Sequence, residues 1–108
     1  MEYCSRIVLV DKGVEVFGPE AKELIKLIDT QKSIKGAAAT MKISTARAWK
    51  YIRAIEKAIG EGAIVKNNRG ADSYNVHISP ACRNLLEKYE SFEKQCQGAA
   101  EEYFKQIF

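Results

Sequence analysis

The sequence predicts a mainly helical α+β fold, and three observations carry that reading. Apolar residues recur at helical spacing in four separate segments. Two stretches rich in β-branched residues, each folded about a turn signal, flank the first three of these segments. Serine, proline and glycine stand where those helices must begin and end. The 108 residues, 46% hydrophobic and 29% charged, have room for one core and the composition of an ordinary globular chain. One domain over 1–108 is therefore expected, with 1–79 as its body and 80–108 as a long C-terminal helix.

The first element is a hairpin. Arg6 to Val10 is a short β-rich run, Asp11-Lys12-Gly13 is a turn signal, and Val14 to Phe17 returns with alternation. Gly18 and Pro19 then punctuate, and Pro19 suits the first turn of a helix. That helix is expected from Pro19 to Thr30, because Ala21, Leu24, Ile25, Leu27 and Ile28 fall on one face. Ser33 is placed to cap a short alanine-rich helix over Ile34–Thr40. After the tight link Met41-Lys42-Ile43, Ser44 caps a third helix from Thr45 to Ile59, stopped by Gly60.

A second hairpin follows. Ala63 to Lys66 reads as a strand, residues 67–72 as a polar loop, and Ser73 to Ile78 as the returning strand. Ser79 and Pro80 open the last helix, which the pattern carries nearly to Phe108. Two helices joined by a tight turn and followed by a hairpin make a winged helix-turn-helix pattern, here with an N-terminal hairpin and a long final helix.

The third helix carries the functional signal. With residues spaced about 100° apart, Ala48, Ile52, Ile55 and Ile59 point one way, with Trp49 beside them. Lys50, Arg53 and Lys57 lie opposite, Arg47 lies next to them, and the small Ala46 and Ala54 stand between. A cationic face broken by small residues suits the major groove of double-stranded DNA. Ser44, Thr45 and Arg47 lead the helix. Thr45 and Arg47 are the candidates for base edges, whereas Lys50, Arg53 and Lys57 suit phosphates. In the second hairpin, Lys66, Asn67, Asn68 and Arg69 suit a minor groove or the sugar–phosphate backbone. The net charge of +3 would not argue this without the placement of the cations.

Along the last helix Cys82, Leu85, Tyr89, Phe92, Cys96, Ala99 and Tyr103 step by three and four, as heptad positions do. Leu85, Tyr89, Phe92, Cys96 and Tyr103 are the expected dimerisation residues. A homodimer would set two recognition helices roughly 34 Å apart on a palindrome. Two alternatives stay open: the helix folds back on its own domain, or it docks a partner protein. Gly98 marks a site for a kink or break.

Between Ser33 and Trp49 the chain resembles the N-terminal domain of the molybdate-responsive (ModE-like) regulators. The matching residues are Ser33-Ile34, Gly36-Ala37-Ala38, Met41, Ile43-Ser44 and Ala48-Trp49. Phe17-Gly18 upstream, and Ile64-Val65, Ser79, Leu85-Leu86 and Tyr89 downstream, keep the register. The resemblance implies a DNA-binding winged-helix dimer acting as a bacterial or archaeal transcriptional regulator. Its glycine-rich wing tip is replaced here by residues 67–73, and the chain stops where a molybdate-binding domain would start, so molybdate is not expected.

Other chemistry finds no pattern. His77 is the single histidine and pairs with no nucleophile by spacing. No phosphate-binding, dinucleotide, zinc-protease or calcium-loop motif occurs. Cys4, Cys82 and Cys96 form no close-spaced pair, which argues against a structural metal; Cys82 and Cys96 are expected in the core. The sequence thus predicts no enzyme, no cofactor, no metal and no membrane span. It also shows no secretory leader, which predicts a cytoplasmic protein.

Overall fold

Serine side chains cap the start of three of the four helices in the computed structural model, which describes residues 1–67 and 75–108. The hydroxyl oxygens of Ser33, Ser44 and Ser79 accept the backbone N–H groups of Gly36, Arg47 and Cys82 at 2.8, 3.0 and 3.2 Å. Each cap satisfies a donor that the first helical turn leaves unpaired. The helices are α1 (Pro19–Gln31), α2 (Ile34–Met41), α3 (Thr45–Ile59) and α4 (Pro80–Ile107). Gly60 closes α3 in the left-handed region at φ 77°, its N–H reaching the Glu56 carbonyl.

Two antiparallel hairpins complete an α+β fold that is mainly helical: β1 (Leu9–Asp11) with β2 (Val14–Phe17), and β3 (Ile64–Lys66) with β4 (Val76–Ile78). Asp11 opposes Val14, and Lys12 and Gly13 between them have φ 51° and 80°. This is the two-residue turn whose twist matches a hairpin. The three non-glycine residues with positive φ among those described are all lysines: Lys12, Lys32 and Lys42. Left-handed backbone is unfavourable by about 1–2 kcal/mol for a residue with a Cβ. Lys32 and Lys42 end α1 and α2 there, and their N–H groups bond back to helix carbonyls.

The core forms where the apolar faces converge. Leu24, Ile25 and Ile28 of α1, Ala37 and Ala38 of α2, and Ala48, Ile52 and Ile55 of α3 are fully buried with Phe17, Ile78 and Cys82. Strand β4 is moored to α1 and its C-cap by two bonds, and α4 by a third. The Val76 N–H donates to the Lys32 carbonyl at 3.1 Å. The Ile78 N–H and the Arg83 guanidinium both reach Asp29, at 3.3 and 2.9 Å. Burial alone would raise the Asp29 carboxyl, but Arg83 and the Ile78 N–H outweigh it and hold the group below its ordinary range.

Three expectations change. The first strand starts at Leu9 rather than Arg6, because the preceding residues run along α4 instead. There the Ile7 carbonyl accepts the Tyr89 hydroxyl at 2.6 Å, and Tyr3 reaches Glu101 at 3.1 Å. Gly98 does not break α4, which is continuous to Ile107. Cys82 is buried, its thiol pushed up to about 11 by that burial, whereas Cys96 is only half-buried.

Candidate nucleic-acid interface

Helix α3 separates its two jobs by face. Ala48, Ile52 and Ile55 hold it to the core, while Thr45, Ala46, Arg47, Lys50, Arg53 and Lys57 are exposed. The one acid of the helix, Glu56, turns toward the body, and its carboxylate accepts the Ala63 N–H at 2.9 Å just ahead of β3. No negative charge of α3 therefore competes on the cationic face. The Ser44 oxygen is occupied by the Arg47 N–H, which leaves its O–H as the group to offer outward.

Both arginines of this face lie against aromatic rings one turn away. The Arg47 guanidinium donates to the Tyr51 hydroxyl at 3.3 Å and sits 5.9 Å from that ring's centre. That bond raises its affinity for the proton further. Arg53 stands 6.0 Å from the centre of Trp49. A ring at that distance attracts the cation and favours the rotamers that keep it there. The spacing of Arg47 to Tyr51 and of Trp49 to Arg53 is the i, i+4 signal by which the sequence shows these pairs. The charge pattern of the helix does not point to Tyr51.

A second unpredicted feature adjoins the helix. Strand β2 lies alongside α3, and the two border an open groove of about 850 Å³. Val14, Glu15 and Val16 of β2 line it with Ala46, Arg47, Lys50, Tyr51 and Ala54 of α3, together with Arg6 and Glu20. Arg6 and Glu20 are ion-paired with each other.

In the second hairpin Lys66 and Asn67 are exposed, and the Asn67 N–H continues the ladder to the Asn75 carbonyl at 2.6 Å. Asn68 and Arg69 lie outside the described residues. Among the described residues no group of three or more histidines, cysteines or carboxylates could hold a metal ion, and no helix is long and apolar enough to cross a membrane.

The expected dimerisation residues divide. Tyr89 does not belong to a seam. It is 1% exposed, packs on Phe17 at 4.9 Å between ring centres, and is part of the chain's own core. Leu85 is half-buried against that core as well. The body holds this stretch through the buried Cys82, Leu86 and Tyr89, and Lys22 and Lys26 of α1 bridge to Glu93 and Glu90 beside them. Phe92 and Tyr103 remain 52% and 62% exposed, and Cys96 is half-buried. No protein-family model matches the chain, and no curated protein matches it.

Proposed function

We propose that this chain is a winged helix-turn-helix protein that binds double-stranded DNA as a homodimer and acts as a cytoplasmic transcriptional regulator. In this reading α2 and α3 are the helix-turn-helix, β3 and β4 the wing, and α3 enters the major groove. The observation that carries it is the exposed face of α3. There Arg47, Lys50, Arg53 and Lys57 stand together, small residues lie between them, and the helix's acid is turned away. Thr45 and Arg47 then meet base edges, and Lys50, Arg53 and Lys57 meet phosphates. The resemblance to the DNA-binding half of the ModE-like regulators supports the same reading without molybdate. No catalytic role is assigned.

Fluorescence anisotropy with a labelled pool of genomic duplexes tests this. Binding should weaken steeply with salt, because neutralised phosphates release counterions. Arg47→Ala and Lys50→Ala should each lower affinity by roughly tenfold. No binding at low salt, or variants that bind as the parent does, would overturn it.

One observation favours a second reading, a module that docks a partner protein through α4. Ile107 and Phe108 are 71% and 75% exposed beside Tyr103. A chain that sediments as a clean monomer and ignores DNA would select that reading over the first.

A further inference from the structure

We propose that the β1–β2 hairpin is a second DNA-contacting arm, with the Lys12 ammonium at its tip placed on a backbone phosphate beside the groove that α3 enters. The inference rests on the reading of α3 as the DNA-facing helix. Its first support is placement. Val14, next to the turn, shares one groove with Ala46, Lys50 and Ala54 of α3, which sets the hairpin beside the exposed flank of that helix. A duplex lying against Lys50 meets the hairpin next.

The second support is the residue itself. The turn requires left-handed backbone at Lys12, a position that favours asparagine, aspartate or glycine. Lysine gains nothing there from backbone conformation, so what distinguishes it is its side chain. That side chain is exposed and makes no ion pair with the described residues. Its neighbour Asp11 is also exposed, but the lysine's four-carbon stem carries its charge well past the short carboxylate. Val10 and Val14, 60% and 59% exposed, flank the tip with apolar surface of the kind deoxyribose can lie against. A two-residue turn also holds the ammonium on a rigid base, which reduces the ordering needed on contact.

The test measures affinity for the same labelled duplex pool across a salt series. Lys12→Asn keeps the left-handed turn and removes the charge. Its melting temperature should match or exceed the parent's, while affinity falls about three- to tenfold. The slope of log affinity against log salt should shrink by about 0.9 per bound protomer. Lys12→Arg should restore both affinity and slope. Lys94→Ala makes the same charge change at an exposed site on α4 and should alter neither. If the parent binds and Lys12→Asn keeps its slope, the hairpin arm is overturned and the reading of α3 stands. An equal loss in Lys94→Ala overturns it too, since net charge then explains the effect. A parent that does not bind overturns both.

Discussion

Asp29 joins three elements through one carboxylate: it sits on α1, accepts the Ile78 N–H of β4, and pairs with Arg83 of α4. Its folded proton affinity lies below the unfolded value because Arg83 and that N–H favour the charged form over the opposing effect of burial. The resulting stability is present above the carboxylate's unfolded range and is lost as pH falls through the folded value. Arg83 is half-exposed, so solvent screens the pair and the contribution is about 1 kcal/mol. Asp29→Asn should therefore lower stability by about that much at pH 7. It should also flatten the loss of stability between neutral and acid pH, read from urea melts across that range. A variant whose pH profile parallels the parent's would show that the carboxylate's charge does not matter there.

At the scale of elements, the caps decide what was legible. The limits of α3 follow from Ser44 and Gly60, and the start of α4 from Ser79 and Pro80, because a cap acts over three or four residues. Ser44→Ala should remove about 1 kcal/mol. It should lower the melting temperature by several degrees and weaken DNA binding by fraying the turn that carries Thr45 and Arg47. A cap whose loss leaves both unchanged would mean that packing alone sets the start of α3. The cationic face of α3 was legible for the same local reason, since helical geometry orders its residues without help from the rest of the chain. What was not legible depends on distant partners. The step of three and four along α4 places Tyr89 and Phe92 on one stripe. It does not say that Phe17 and Ile7 meet the first while the second faces solvent. Nor does any local pattern bring β2 beside α3. That groove exists because Phe17, at the end of β2, is anchored in the core.

At the scale of the whole molecule, α4 runs on past the core it packs against. Twenty-eight residues extend about 42 Å, against a molecule measuring 58 × 27 × 22 Å. Its first half is core: Cys82, Leu86 and Tyr89 are buried, and Glu90 and Glu93 are bridged to α1. Its second half is accompanied by the N-terminal segment, where Tyr3 stacks on Phe104 and Phe104 on Phe108. Phe92, Tyr103 and Ile107 remain uncovered. The proposed homodimer therefore rests on this uncovered stripe, with Phe92 and Tyr103 as its anchors, and the stripe and the buried face should answer differently to mutation. Phe92→Glu and Tyr103→Glu should each raise the dimer dissociation constant by roughly tenfold or more. Helicity should stay intact, as read by sedimentation and circular dichroism together. Tyr89→Ala should instead destabilise the protomer by about 3 kcal/mol, the cost of an emptied aromatic site. A chain that stays dimeric with both glutamates in place would move the seam off this stripe. A parent that is monomeric at every concentration would remove the dimer, and with it the palindrome as the expected target.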